Sequence, residues 1–306
     1  MAFPPAKEGG RRTCSLVGAA ALGLCLTVSA VSALAEGVAT VVSPPHPPAS
    51  APGSAPKEGV DLSLSPECRV PGSKLYTLAR LSSVKHALKE QRPVHVLSVG
   101  SSSSGLGAST SYPVRLENAL ERSLPNVDVQ IESRALSGEV ASGAGERLRT
   151  IVAEVEPDLV VWQVGTNDAL ARVDATAFAD ALKDTVEWIK SHHIDVVLID
   201  PLFTQSVADD ESYNELVHKV QDVAVAQGVP LVRRYEAMRF LSASSDKGSE
   251  THMLGRHFRL NDLGLRCMAE HVTRAITLSL LQPDLAATPT AGSQAKKAEP
   301  EKPAGP

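Results

Sequence analysis

Leu159-Val160-Val161-Trp162-Gln163-Val164-Gly165-Thr166-Asn167-Asp168 is an apolar run that stops abruptly at a glycine followed by three short polar residues. Such a run is of strand length rather than helix length, and its nearly unbroken apolar character predicts a strand covered on both faces. Four more short runs rich in Val and Ile share this character, at 94–99, 127–131, 196–199 and 231–233. Around them, apolar residues recur at three and four spacing, which predicts helices over 75–89, 112–123, 145–155, 175–191, 211–227 and 263–281. Strands that alternate with helices predict the α/β class: a three-layer α/β/α sandwich around a five-stranded parallel sheet. No period of about 20 to 50 residues repeats itself, which argues against a solenoid or propeller.

Ligands of such sheets bind beyond the carboxyl ends of the strands, so the residues just after the first three strands carry the functional question. The first strand runs into Gly100-Ser101-Ser102-Ser103-Ser104-Gly105-Leu106-Gly107. Small residues let the chain turn sharply toward a helix N-terminus, whose free N–H groups and dipole stabilise an anion. A serine there is placed to attack, although the same composition suits a flexible loop or a phosphate cradle. No Gly-Lys-Ser/Thr follows, so it is not a Walker loop. The second strand leads through Ser133 to Gly138, the third to Gly165-Thr166-Asn167-Asp168. An asparagine amide at a strand's carboxyl end is a good donor to developing oxyanion charge; the alternative is an Asx turn that caps the next helix.

A serine turn after strand one, a glycine after strand two and Gly-Thr-Asn-Asp after strand three, in this order, resemble blocks I, II and III of the SGNH/GDSL hydrolases. The resemblance covers roughly 94–281 and implies a flavodoxin-like SGNH hydrolase fold. It implies that Ser102 is the nucleophile, at the third position of a Gly-Asp-Ser turn written here Gly100-Ser101-Ser102, as in a bacterial branch with Gly-Ser-Ser-Ser. It further implies that the Gly138 N–H and the Asn167 amide join the Ser102 N–H in an oxyanion hole.

The last block departs from the pattern. The family ends in Asp-x-x-His ahead of a glycine that opens the final helix, whereas this chain has Arg256-His257-Phe258-Arg259-Leu260-Asn261-Asp262-Leu263-Gly264. Counted back from Gly264, the histidine position falls on Arg259 and the aspartate position on Arg256, and an arginine is no base at neutral pH. In one reading the loop is shifted by two residues and His257 is the base, oriented by Asp246 or Glu250. In the other the triad is broken and the chain is an impaired SGNH-like module that binds glycans; an O-acyltransferase on the same site is a third option. His252 lies farther from the helix start than His257, while His192 and His193 fall on the opposite rim as surface residues. Trp162 and Trp188 read most simply as core.

The ends of the chain have another character. Lys7, Arg11 and Arg12 precede an apolar stretch from Cys14 to Ala35 that ends in Ala33-Leu34-Ala35, a targeting pattern with a small-x-small cleavage site. Residues 1–35 are therefore expected to be a signal peptide, or a membrane anchor if uncleaved, and the protein to be exported, periplasmic or secreted. A Pro/Ser/Ala-rich tether (36–64) and a Lys/Glu/Pro-rich tail (283–306) are too poor in large apolar residues to fold alone and bound one domain at 65–282. Beyond the targeting segment stand Cys68 and Cys267, either bridged in an oxidising compartment or two separate buried thiols. The formal charge of −5 and the lack of a basic helix face give no footprint for nucleic acid. No His, Cys or carboxylate pair has metal-ligand spacing and no Gly-x-Gly-x-x-Gly turn is present, so neither a metal nor another cofactor is expected. The expected partner is a small-molecule or carbohydrate ester, with membrane contact only through an uncleaved N-terminal segment; for an exported member of the family, O-acetyl groups of envelope or extracellular polysaccharide are the implied substrate.

Overall fold

A computed structural model describes residues 59–100, 110–124, 126–244, 259–283 and Gly305. The chain divides between Ser54 and Ala55 into two units, and all the described residues belong to the second. In chain order its elements are α1 (Gly72–Leu75), β1 (Tyr76–Thr77), α2 (Ser82–Lys89), β2 (Val94–Gly100), α3 (Tyr112–Ser123), β3 (Val129–Ala135), α4 (Ala141–Val155), β4 (Leu159–Gln163), α5 (Thr166–Leu170), α6 (Ala175–Ser191), β5 (Asp195–Ile199), α7 (Glu211–Gln227), β6 (Leu231–Val232), α8 (Arg234–Ser244) and α9 (Asp262–Leu280).

The strands form one sheet in the order β1-β6-β5-β4-β2-β3. β2 to β6 are parallel, and they are the five strands expected from the sequence. To these β1 adds a sixth, short and antiparallel, pairing Tyr76 with Val232 and Thr77 with Leu231. The central strands β4 and β5 are buried along nearly their whole length, which is why they read as unbroken apolar runs. The edge strand β3 is only half-buried and carries Glu132 and Arg134, charges that discourage pairing with another chain. α3 packs on α9, α4 on α6, and α6 on α7, completing the α/β/α layers. Trp162, Tyr112, Tyr213 and Phe178 are the largest side chains sealed in the core.

One predicted helix is corrected. The span 75–89 is α1, β1 and α2 in succession: the edge of β6 offers free backbone groups, and Arg233 secures the detour by donating from its N–H to the Leu75 carbonyl (2.6 Å) and from Nη2 to Thr77 Oγ1 (3.1 Å). Asp195 caps the helix that remains, its carboxylate accepting from the N–H groups of Ser82 (3.1 Å) and Val84 (3.0 Å).

The segment before α1 fastens along α9. Arg274 Nε donates to Asp61 Oδ2 (2.6 Å), the Ser65 N–H to Glu270 Oε2 (2.8 Å), and His271 Nε2 lies 2.7 Å from the Cys68 carbonyl. Cys68 and Cys267 are joined in a disulfide with Cα atoms 5.0 Å apart. Asp61 and the buried Leu64, which fall in the expected tether, thus belong to the folded unit. Among the described residues no helix is long and apolar enough to cross a membrane.

Candidate active site

The strand order places β3 on one side of β2 and β4 on the other. Connections that leave a strand in opposite directions open a crevice at its carboxyl end, the usual ligand position in such sheets. Gly100 is the last residue of β2 and stands in that crevice at φ +140°; a Cβ there would come within 2.7 Å of Gln163 Cβ. Backbone conformation and space both require glycine. The next residue begins the serine turn, and Ser102 lies outside the described residues, as do Asp246, Glu250, His252, Arg256 and His257.

Gly138 and Asn167, far apart in sequence, are brought together. Asn167 is the second residue of α5, and its Nδ2 donates to the Glu139 carbonyl (2.8 Å), the residue after Gly138. Gly138 takes φ +78° in the turn between β3 and α4, with open space where a side chain would project. The turn is braced from behind: Arg147 donates to both Glu139 carboxylate oxygens (2.7 and 2.5 Å) and to the Arg134 carbonyl (3.0 Å). Asp168, buried beside Asn167, accepts from the Ala141 N–H (2.8 Å) and so caps α4. That cap starts α4 at Ala141, four residues ahead of the predicted start. Burial pushes the Asp168 carboxyl above its ordinary range, against the pull of backbone N–H groups.

Gly100, Glu139, Gln163, Asn167 and Arg234 line one pocket. An amide that keeps a hydrogen to spare, a backbone turn held open by glycine and the strand end that leads to Ser102 therefore share one small space. A fixed amide donor at the crevice is one of the elements an oxyanion hole requires.

The final block's helix begins as the sequence indicates, with Asn261 capping α9 by accepting from the Gly264 N–H (2.9 Å). Arg259, which holds the usual histidine position, is exposed two residues before the cap. Among the described residues no group of three His, Cys, Asp or Glu side chains is arranged to hold a metal ion.

The sequence reading missed Arg234. Only Arg233 separates it from β6, and its buried guanidinium reaches Gln163 Oε1 (3.0 Å) and the Asp200 carbonyl (2.9 Å). The signal is its position, since the residues just after every strand of a parallel sheet lie at the functional rim. His192 and His193 are exposed at the end of α6, and Trp162 is buried. Trp188 is only partly buried, with Arg149 over its ring at 5.1 Å.

The model of the Non-GDSL lipase-like family matches residues 67–281. Among solved structures, the lipase/acylhydrolase from Enterococcus faecalis is 24% identical with a TM-score of 0.51, over 63% of this chain and 100% of that one. A two-domain esterase active on acetylated mannans, crystallised with mannopentaose, is 17% identical with a TM-score of 0.57, over 70% of this chain and 59% of that one. An acetyl xylan esterase is 20% identical with a TM-score of 0.51, over 60% of this chain and 100% of that one. At these identities the likeness is one of fold. No curated protein matches the chain.

Proposed function

Because the chain belongs to the Non-GDSL lipase-like family, and so to the SGNH-type carboxylic ester hydrolases, we propose that it is an exported serine esterase acting on O-acetyl groups of envelope or extracellular polysaccharide. Ser102 attacks the ester carbonyl and His257 takes its proton. The tetrahedral oxyanion is held by the N–H groups of Ser102 and Gly138 and by the Asn167 amide. Collapse expels the sugar hydroxyl, which regains the proton, and water then releases acetate from the acyl-serine.

The observation that carries this reading is the Asn167 Nδ2 bond to the Glu139 carbonyl, which sets the amide beside the Gly138 turn at the strand-order switch next to Gly100. Export is supported by the N-terminal targeting pattern and by the Cys68–Cys267 bridge, a bond that persists in oxidising compartments. The choice of substrate is supported by esterases of the same fold that act on acetylated mannan and by an acetyl xylan esterase.

Hydrolysis of p-nitrophenyl acetate, and acetate release from acetylated mannan or xylan, by the wild type and by Ser102→Ala tests the proposal. We expect turnover in the wild type and none above buffer in the variant. Equal rates in the two would overturn the esterase reading in favour of a glycan-binding module.

A further inference from the structure

Arg234 is the first residue of α8 and 6% exposed. A buried guanidinium has to be solvated by the protein, and its acceptors define its role. Nε donates to the Asp200 carbonyl (2.9 Å), Nη1 to Gln163 Oε1 (3.0 Å) and Nη2 to Thr166 Oγ1 (3.4 Å), with Met268 Sδ 3.6 Å from Nη1. Among the described residues these acceptors are all uncharged. The Asp200 carboxylate is turned to the Tyr235 N–H (2.8 Å) instead.

Two of the acceptors lead straight into the proposed site. Gln163 is the side chain packed against Gly100, two residues before Ser102. Thr166 adjoins Asn167, and its hydroxyl also accepts from the Leu202 N–H (3.1 Å). One guanidinium thus ties the ends of β4, β5 and β6 beneath the pocket and, through Gln163, bears on the end of β2. Neutral dipoles rather than a carboxylate bond it; the buried Asp200 carboxyl nearby offsets part of its charge, and the remainder acts on the pocket it lines.

Resting on the esterase reading, we propose that Arg234 is a positioning residue for ester hydrolysis. It clamps Gln163 and Thr166 so that Gly100, where β2 ends, and the Asn167 amide keep their spacing, and its fixed positive charge favours the anionic intermediate over the neutral ester. Burial lowers the Arg234 pKa, yet a guanidinium stays charged throughout the working range.

The test compares the full-length wild type with Arg234→Met, Arg234→Lys and Gln163→Leu, using p-nitrophenyl acetate kinetics, inhibition by methylboronic acid and thermal melting. In the inhibited complex the serine oxygen adds to trigonal boron and its proton passes to the base; a tetrahedral anion forms and no group leaves. We expect Arg234→Met to lower kcat about 100-fold with KM little changed, and boronate affinity by a similar factor. Arg234→Lys, which keeps the charge, should recover about tenfold of that loss. Should the methionine variant not fold, Gln163→Leu decides, because it removes one clamp and leaves the cation; a folded variant with kcat about tenfold lower supports the inference and wild-type kcat overturns it. Wild-type kcat and boronate affinity in Arg234→Met would overturn it, as would equal losses in the lysine and methionine variants with KM and Tm falling together, the mark of a strut alone. These outcomes presuppose Ser102-dependent turnover in the wild type; its absence would overturn the esterase reading and this inference with it.

Discussion

Asn167 has two amide hydrogens, and the described structure uses one of them, on the Glu139 carbonyl. In the proposed mechanism the other is the donor to the oxyanion, and the internal bond fixes the plane in which it points. Asn167→Ala removes donor and brace together. Kinetics on p-nitrophenyl acetate should show kcat lower by about 10²–10³-fold with KM nearly unchanged, since the neutral ester gains little from the donor. A KM that rises with kcat constant would instead make Asn167 a ground-state contact. At this scale the sequence was informative where chemistry and local geometry coincide. Gly138 stands in a turn whose residue type announces its φ, and Asn167 opens α5 at a strand end, where its amide announces a donor. Nothing but its place just beyond β6 sets Arg234 apart, because its acceptors on β4, α5 and the end of β5 meet it only in three dimensions. Glu139 was likewise silent: its carbonyl, not its side chain, receives Asn167.

Among elements, the legible ones bury a face by themselves. α3, α6 and α7 begin and end where their apolar spacing places them, and the buried strands β4 and β5 announced themselves as unbroken runs. What could not be read depends on partners distant in sequence. β1 exists because β6 has a free edge, α4 gains its first turn from Asp168, and α8 follows β6 with only Arg233 between them, a residue type that does not mark a helix start. The pairing of Cys68 with Cys267 was an open alternative because the two are 199 residues apart; the bonds from Asp61 and Ser65 to α9 align the segment that makes it. Closing so long a loop constrains the unfolded chain, and loss of a native disulfide typically costs about 2–5 kcal/mol. The double variant Cys68→Ser/Cys267→Ser should therefore melt roughly 5–15 °C lower, with kcat on p-nitrophenyl acetate retained at 25 °C. Reductant should lower the wild-type Tm by a similar amount and leave the variant unmoved; a wild-type Tm indifferent to reductant would show the cysteines unbridged.

Across the whole molecule the two rims of the sheet are built differently. At the amino rim polar groups are spent on structure. Arg92 grips both oxygens of Asp158 (2.8 and 2.5 Å), which also accepts from the His95 N–H (3.0 Å), and Asp195 caps α2. At the carboxyl rim Asp200 is left under-compensated. It is fully buried at the end of β5, one oxygen accepts from the Tyr235 N–H, and Oδ2 has no hydrogen-bond partner among the described residues. Burial raises its pKa to about 7 from 3.8, against the opposing pull of the Tyr235 N–H and Arg234. A carboxyl that holds its proton more tightly when folded has a definite sign in stability. Below about pH 4 it is protonated in both states and contributes nothing. As pH rises toward 7 the unfolded chain releases the proton while the native state keeps it, so stability falls; above about 7 the full penalty is present, on the order of 4 kcal/mol at most. Asp200→Asn keeps the acceptor for Tyr235 and never ionises. Its melting temperature should therefore exceed that of the wild type at pH 8, with the advantage shrinking steadily toward pH 4. Two melting curves that run parallel across this range would mean that Asp200 ionises as readily in the fold as outside it, and that the carboxyl rim carries no such electrostatic strain.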